Sequence, residues 1–307
     1  MRKSIILIIV FLSGLVTVQA KDIGINRFEV EDALTLQDSF PVLRGPYLGQ
    51  KPPGMTPEIF APGIISVQDA KYTTITFSTA GNEIFFYRWD GVKAKIFQCK
   101  MVDGIWAPPE EAGFTAGYKP MEPLMTVDNK RIYFIWDKPI PDGEQETPFK
   151  IWFTERKKNE WSEPQYAGQG MYVSTDKEGN LYATDMSTVM VDGKTYLSKV
   201  TTSKGKFVKY EKQFIQPYYG VQAHPCIAPD GSYMLFDIDS GHHLFVSFKQ
   251  SDGTWGTAID LTYHGFDSMA GGASITPEGK YLFYNCRGQL MWVDVKKVED
   301  LRPKEEN

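Results

Sequence analysis

Cysteine is scarce in this sequence. The 307 residues contain three cysteines, Cys99, Cys226 and Cys286, and no two of them have CxxC spacing. An odd number of widely spaced cysteines argues against the disulfide framework of a small secreted domain. At most one bridge can form, and we expect buried free thiols.

Basic residues are also too few to make a positively charged protein. Lysine and arginine total 33 against 38 acidic residues, which gives a formal net charge of −5. Proteins that bind nucleic acid or anionic membrane surfaces need a concentrated basic face. The composition therefore argues against both classes of partner.

Long apolar runs are confined to the start of the chain. Arg2 and Lys3 precede an apolar run, and residues 18–20 offer the small side chains that a signal peptidase reads. We therefore predict a signal peptide over residues 1–20 and a mature chain from Lys21 with a net charge of −7. A membrane anchor is the alternative, but the run is short for a spanning helix. We expect a periplasmic or secreted protein, without membrane insertion once the signal is removed.

Several signatures of catalytic chemistry are missing from the sequence. It contains no GxSxG nucleophile turn, no P-loop, no glycine-rich dinucleotide turn and no HxH or HExxH pair. These absences argue against a complete propeller peptidase and against a nucleotide-dependent enzyme.

What the sequence does contain is a ten-residue pattern that occurs five times. In each copy the end of one strand is followed by a turn, and apolar and aromatic residues follow the turn. This order is typical of a β-hairpin. The five copies are FSTAGNEIFF, TVDNKRIYFI, STDKEGNLYA, IAPDGSYMLF and ITPEGKYLFY, with turn residues Gly81, Asn129, Gly179, Gly231 and Gly279. The spacing of about fifty residues indicates a repeat architecture. Asparagine tolerates a left-handed backbone best after glycine, so Asn129 supports the turn assignment.

A second pattern keeps the same period. Turns followed by Trp106, Trp161 and Trp255 come after the first, second and fourth hairpins, and Phe207 takes that place in the third repeat. One further strand lies between each hairpin and this aromatic residue. Each repeat therefore predicts four antiparallel strands.

These repeats predict an all-β fold, a five-bladed β-propeller of four-stranded antiparallel blades. The second strand of each repeat is apolar on both faces, as expected for a sheet between two neighbouring sheets. The last repeat lacks its fourth strand, and residues 56–66 resemble that strand, so we expect the N-terminal segment to complete the last blade. The predicted boundaries are an extension over residues 21–55, the propeller over 56–304 and a tail over 305–307. Six blades form if residues 21–55 hide a degenerate unit.

These hairpins, together with the DGxW strand and the stretch PYLGQKPPGMTPEIFAPGIIS, resemble the WD40-like (PD40) repeats of the TolB-type propellers in bacterial envelopes. The resemblance covers roughly residues 40–303. It implies the propeller fold, but the repeat occurs in translocation accessory proteins, peptidase propellers, envelope binding proteins and some polysaccharide lyases. The sequence departs from the repeat at residues 79–80 and at the longer turn of residues 176–178.

Candidate site residues come from equivalent places in the repeats. Inner strands of a propeller line its axis, and counting back from each turn gives Thr74, Glu122, His224 and Gly272, with the third repeat ambiguous near Met171. We predict that Glu122 and His224 face an axial site at the mouth of one face. The competing interpretation is that these polar residues only line a water-filled channel.

A second group of polar residues lies in the stretch DIDSGHH. Asp237, Asp239 and His242 are suitable ligands for a divalent metal, but adjacent residues of a strand point to opposite faces, so His242 and His243 do not serve one metal easily. A surface turn is the simpler interpretation, and we expect no cofactor. The loop over residues 138–149 is the longest connection, and its composition specifies no ligand.

The sequence favours an exported, monomeric binding or scaffold propeller that recognises a glycan or an envelope protein through one face. The binding residues would be Thr74, Glu122, His224 and Asp267. The alternative is a polysaccharide-active enzyme, either a metal-assisted lyase or a glycoside hydrolase, in which Glu122 and His224 carry the chemistry.

Overall fold

The structure is a computed structural model, and it describes residues 40–115, 117–141, 149–158, 160–238 and 242–304. The predicted signal peptide, the tail over residues 305–307 and most of the 138–149 loop lie outside these ranges. No helix within the described residues is long and apolar enough to cross a membrane.

The described chain begins with a segment that runs along the first and last blades. It contains a single 3-10 turn at Tyr47–Gly49 and the short strand β1 at Glu58–Ile59. The main-chain amide of Trp106 donates to the Leu43 carbonyl at 3.0 Å, and the Asp294 amide donates to the Gly54 carbonyl at 3.0 Å. Part of the predicted extension therefore packs on the propeller.

Five antiparallel sheets follow, and each is one blade. Blade 1 contains β2 (Tyr72–Phe77), β3 (Glu83–Trp89), β4 (Ala94–Val102), β5 (Ile105–Trp106) and β6 (Glu110–Glu111). Blade 2 contains β7 (Pro120–Met125), β8 (Arg131–Trp136), β9 (Lys150–Lys157), β10 (Glu160–Trp161) and β11 (Gln165–Gln169). In both blades the fourth strand is broken into two short pieces that pair with the third strand.

The remaining blades have four strands each. Blade 3 contains β12 (Met171–Thr175), β13 (Leu181–Asp185), β14 (Tyr196–Ser203) and β15 (Lys206–Lys212). Blade 4 contains β16 (Ala223–Ile227), β17 (Tyr233–Ile238), β18 (His242–Phe248) and β19 (Ile259–Asp260). Blade 5 contains β20 (Ala270–Ile275), β21 (Tyr281–Cys286), β22 (Gln289–Asp294) and β1. Short helical turns lie at Gly113–Thr115, Val189–Asp192, Leu261–His264 and Lys296–Glu299.

The first strands of the five blades form a closed inner ring. Strand β2 contacts β7, β7 contacts β12, β12 contacts β16, β16 contacts β20, and β20 returns to β2. The predicted five-bladed propeller is confirmed, and the described residues contain no sixth sheet. Repeats one and three, which depart from the family pattern, form full blades.

The five predicted hairpin turns are confirmed at the level of the backbone. Each turn residue has a left-handed φ, between 56° at Asn129 and 84° at Gly179. Each turn residue also donates its main-chain amide to the carbonyl three residues earlier, as Gly231 does to Ala228 at 2.8 Å. Glycine and asparagine are the residue types that adopt this conformation at least cost.

The hydrophobic core is divided into five clusters, one between each pair of neighbouring blades. Consecutive residues of a second strand enter different clusters: Phe85 packs between blades 1 and 2, and Phe86 packs between blades 5 and 1. This arrangement explains why the second strands are apolar on both faces, because each is buried between two sheets.

The N-terminal segment closes the ring as predicted. Strand β1 pairs antiparallel with β22, so the start of the propeller supplies the fourth strand that the last repeat lacks. The Phe60 amide donates to the Leu290 carbonyl at 2.8 Å. The Phe60 ring is buried and contacts Phe283 and Trp292, each with ring centroids 5.0 Å away.

All three cysteines have free thiols. Cys99 and Cys226 are buried, as expected, whereas Cys286 is half-buried.

The propeller has two faces, which we name by the inner strands. The start face carries the connections that lead into the inner strands and those between second and third strands. The turn face carries the five hairpin turns between first and second strands. The axis runs between the two faces inside the ring.

Candidate functional site

Four of the five inner strands have a β-bulge at the same level of the axis. Glu122, Tyr172, His224 and Gly272 have φ values of 52°, 49°, 51° and 58°, and the strand register shifts at each of them. A bulge adds a residue to one strand and re-aims its side chain. Tyr172 is therefore the third-repeat equivalent that the sequence left ambiguous.

Blade 1 is the exception at this level. Strand β2 pairs with β3 without interruption, and Thr74 lies opposite Tyr87. Gly272 of blade 5 leaves room for two side chains of this strand. A Cβ atom at Gly272 would overlap the hydroxyl of Tyr72 and lie 3.3 Å from Thr74 Cγ2. Tyr72 Oη and Thr74 thus lie next to Gly272.

His224 lies between two carboxylates. Its Nδ1 is 2.7 Å from Asp237 Oδ1, and its Nε2 is 3.5 Å from Glu122 Oε1. The other oxygen of Asp237 accepts a hydrogen bond of 2.8 Å from the Gly272 amide. Tyr172 packs edge-on against the imidazole, with ring centroids 5.1 Å apart. We call Tyr72, Glu122, Tyr172, His224 and Asp237 the axial cluster.

The charges of the axial cluster favour a protonated histidine. Burial disfavours the imidazolium, but the neighbouring carboxylates of Asp237 and Glu122 outweigh it and raise the pKa of His224 to about 10. Both ring nitrogens face carboxylate oxygens, so both are placed to donate. Burial raises the pKa of the Asp237 carboxyl, and the contact with His224 opposes that rise. Burial also raises the phenol pKa of Tyr72 and Tyr172 well above the ordinary range, so both stay neutral.

The axial cluster lies deeper than the sequence analysis predicted. Glu122 is 8% exposed and His224 is 3% exposed, so neither lies at an open mouth or in a solvated channel. The bulges account for the difference, because they occur within the inner strands and aim these side chains across the ring. A general acid or base must reach the proton that it transfers. In this arrangement the cluster joins strands of different blades.

A separate cavity of about 300 Å³ lies on the axis below the turn face. Its walls are mainly apolar side chains from the second halves of the inner strands, such as Leu124, Val173 and Ile275, with Ser174 and Thr76 among them. Tyr172 lines this cavity and also contacts His224, so its ring separates the cavity from the buried carboxylates.

Of the other two predicted binding residues, Thr74 lies beside the axial cluster and Asp267 lies apart from it. Thr74 is buried at the edge of the cluster. Asp267 lies in the connection before β20, where it is exposed and pairs with Arg287 at 3.2 Å. The structure therefore brings Glu122 and His224 together, places Thr74 beside Gly272 and leaves Asp267 outside.

The proposed metal ligands of the DIDSGHH stretch do not converge. Asp237 turns to the axis and binds His224, while His242 begins β18 opposite Ile238. Asp239 lies outside the described residues. In the described part of the chain, no three histidine, cysteine or acidic side chains are grouped as a metal ion requires.

The sequence analysis missed Tyr72 and Tyr172 and placed Asp237 in the wrong group. One signal for Asp237 was available: it lies six residues after the turn glycine Gly231, and His224 lies seven residues before it, so a hairpin brings them face to face. No local signal identifies the tyrosines, because their contacts cross from one blade to another.

The start face carries the exposed aromatic side chains. Among the described residues, the large aromatic side chains that are exposed are Trp89, Tyr118, Phe214, Tyr219 and Tyr263. All five lie at or beside connections on the start face, and Tyr263 is 84% exposed. Exposed aliphatic side chains also lie in connections of the start face, namely Val92, Met190, Val191 and Val221.

Comparison of the sequence with protein-family models and with curated proteins finds no match. Among solved structures, TolB from Acinetobacter baumannii is similar at 12% identity and a TM-score of 0.47, over 71% of this chain and 53% of that one. The chain thus spans about half the length of that TolB. A putative TolB from Agrobacterium tumefaciens has 12% identity and a TM-score of 0.46, over 69% of each chain.

A gluconolactonase from Xanthomonas campestris has 13% identity and a TM-score of 0.43, over 82% of this chain and 97% of that one. All three scores are below 0.5, so the propeller assignment rests on the five sheets of this chain. Membership in the PD40 family stays a prediction from the repeats.

Proposed function

We propose that this chain is an exported, non-catalytic binding propeller of the bacterial envelope that recognises a protein partner through its start face. The observation that carries the proposal is the placement of all five exposed aromatic side chains of the described residues on that face. Tryptophan and tyrosine are enriched among the few residues that carry most of the binding energy in protein interfaces, because they bury a large area at low entropic cost.

The exposed aliphatic side chains on the same face favour a protein partner over a glycan. Val92, Met190 and Val191 are each at least three-quarters exposed. Aliphatic side chains donate no hydrogen bonds to sugar hydroxyls, whereas they match the apolar centre of a protein interface. Exposed apolar groups concentrated on one face of a protein indicate an interaction surface.

The buried state of the axial cluster supports a function without catalysis. Glu122 and His224 do not line the axial cavity. Each carboxylate oxygen of Asp237 has a hydrogen-bond partner within the protein. A hydrolase or lyase would need an acid and a base open to the sugar chain. The location in the envelope is supported by the signal-like segment over residues 1–20 and by the resemblance of the repeats.

Site-specific photo-crosslinking in the producing cell tests the proposal. A benzophenone amino acid replaces Tyr263 on the start face, and in a control it replaces Val102, which is 62% exposed on the turn face. Because the start face contacts the partner, Tyr263 should give one protein adduct of discrete mass, and Val102 should not. A second substitution, Met190→Asp, places a charge on the same face and should reduce the yield of this adduct at least about tenfold.

The masses of the crosslinked products show which molecule binds the start face. The absence of an adduct at Tyr263, or an identical adduct from Val102, would contradict the proposal. A product of twice the mass of the chain identifies a second copy, and a protease-resistant product identifies a glycan. Either product would also overturn it.

A further inference from the structure

The axial cavity below the turn face is open at one end and closed at the other. Thr79, Asp128 and Lys177 belong to three of the hairpin turns, and each of them lines the cavity and is also exposed to solvent. At the other end, the Tyr172 hydroxyl donates to the Ala273 carbonyl and joins blade 3 to blade 5 across the ring. The axial cavity is therefore a blind pocket that opens on the turn face.

The wall of the axial cavity is apolar along its depth. Each blade contributes an aliphatic side chain to it, namely Ile75, Leu124, Val173, Ile227 and Ile275. Two hydroxyl groups in the wall already accept hydrogen bonds from amides of the next blade: Thr76 Oγ1 from Met125 at 3.1 Å, and Ser174 Oγ from Ile227 at 3.3 Å. Water needs several polar partners in a cavity, so this wall favours an apolar occupant.

The volume of the axial cavity indicates the size of that occupant. An engineered apolar cavity of about 150 Å³ in an unrelated protein binds benzene. The axial cavity, at about 300 Å³, is twice as large. It therefore matches a molecule of roughly twelve non-hydrogen atoms.

Hydrogen bonds between neighbouring turns hold the mouth of the cavity in place. The Thr79 hydroxyl donates to the Val127 carbonyl at 2.6 Å, which joins blade 1 to blade 2. The Lys177 amide donates to the Pro229 carbonyl at 2.8 Å, which joins blade 3 to blade 4. A pocket that is formed before binding costs less to occupy.

The charged groups at the mouth favour an anionic head group. Both carboxylates at the mouth accept hydrogen bonds within their own turns: Asp128 from the Lys130 amide at 3.0 Å, and Asp176 from the Asn180 amide at 2.9 Å. The third charged group is Lys177, which is exposed and belongs to none of the ion pairs among the described residues. The Lys177 ammonium is therefore the group at the mouth that can pair with an anion.

We propose that the axial cavity binds a medium-chain fatty acid, with the alkyl chain along the axis and the carboxylate at Lys177. Burial of the alkyl chain against the aliphatic wall drives binding. The carboxylate stays in water at the mouth and pairs with the lysine there. Decanoate has the number of non-hydrogen atoms that the volume requires. This site opens on the face opposite the start face, so it is independent of the function proposed above.

Isothermal titration calorimetry of the protein with single fatty acids tests the site. We expect decanoate to bind with a dissociation constant on the order of 0.1 mM. Octanoate is shorter by two methylene groups and should bind about tenfold more weakly, because each buried methylene contributes to binding. Dodecanoate is longer by the same amount and should bring no comparable gain, since decanoate already fills the cavity.

Two variants connect binding to the cavity, and a third is the control. Ser274 is half-buried in the wall, so Ser274→Phe puts a ring into the cavity and should abolish decanoate binding. Lys177→Met should weaken decanoate binding about three- to fivefold and leave decanol binding unchanged, because decanol carries no charge. Lys280→Met removes an exposed turn lysine that does not line the cavity and should change neither affinity.

The absence of decanoate binding to the unsubstituted protein would overturn the proposal. A steady gain in affinity through dodecanoate would overturn it too, because the alkyl chain would then lie on an open surface. Tighter binding of decylamine than of decanoate would show that the carboxylates at the mouth select the ligand, against the proposal. If S274F does not fold, K177M decides: equal decanoate affinities of K177M and K280M contradict the site.

Discussion

At the residue scale, Gly272 combines a left-handed backbone conformation with contacts to side chains at the propeller axis. Its φ of 58° lies in the left-handed region, and a side chain there would overlap the Tyr72 hydroxyl. Its amide also donates to Asp237, which in turn orients His224. The absence of a side chain therefore allows blades 1, 4 and 5 to meet on the axis.

We predict that Gly272→Ala lowers the free energy of unfolding by about 3 kcal/mol, because a left-handed alanine costs about 1–2 kcal/mol and the overlap with Tyr72 adds to it. In a Tyr72→Phe background the same substitution should cost less, about 2 kcal/mol, since the hydroxyl is gone and the backbone cost remains with the closer contacts to the ring and to Thr74. Urea unfolding of the four proteins in this double-mutant cycle measures the coupling. Additive effects would show that the hydroxyl does not occupy the space beside Gly272.

At the element scale, the repeated hairpin is controlled by a single backbone conformation. The turn residues Gly81, Asn129 and Gly231 all have a left-handed φ. Asn129 has an additional role, because its side chain accepts a hydrogen bond of 2.9 Å from the Thr79 amide of the neighbouring turn. The turns thus form each hairpin and also connect adjacent blades.

We predict that Gly231→Ala destabilises the protein by about 1 kcal/mol and that Gly231→Asn costs roughly half as much, because asparagine tolerates a left-handed backbone. The position is suited to this comparison, since a Cβ atom at Gly231 meets no other atom within 4 Å. The midpoints of urea unfolding give the difference. Equal costs for the two substitutions would contradict a conformational origin.

The hairpins and strands were predictable because local sequence patterns specify them. The bulges were not predictable, because no local pattern marks them. A turn glycine and its flanking strands are specified within about ten residues, so the sequence identifies them directly. The bulges at Glu122 and His224 lie within hairpins, but the two side chains that they bring together are about a hundred residues apart in sequence. Sequence reasoning therefore found these residues at equivalent positions but placed them at a solvated mouth.

At the scale of the whole molecule, stability depends on closure of the ring. Each core cluster is shared by two neighbouring blades, so no blade buries its second strand alone. The cluster between blades 5 and 1 includes side chains from the N-terminal segment, among them Phe60 and Ile65. The sequence predicted this closure because the last repeat lacks a strand that residues 56–66 resemble.

We predict that Phe60→Ala lowers the free energy of unfolding by about 3–5 kcal/mol, because Phe60 is fully buried among rings of blades 1 and 5. Ile59 is the matched control: it is the preceding residue, ends the closing strand β1 and is 42% exposed, so Ile59→Ala should cost less than about 1 kcal/mol. Urea unfolding measures both values, and limited proteolysis reports where the ring opens. In F60A the first cleavages should fall between residues 40 and 71, because the segment that closes the last blade is then released. Equal stability of the two variants would mean that this segment does not hold the ring closed.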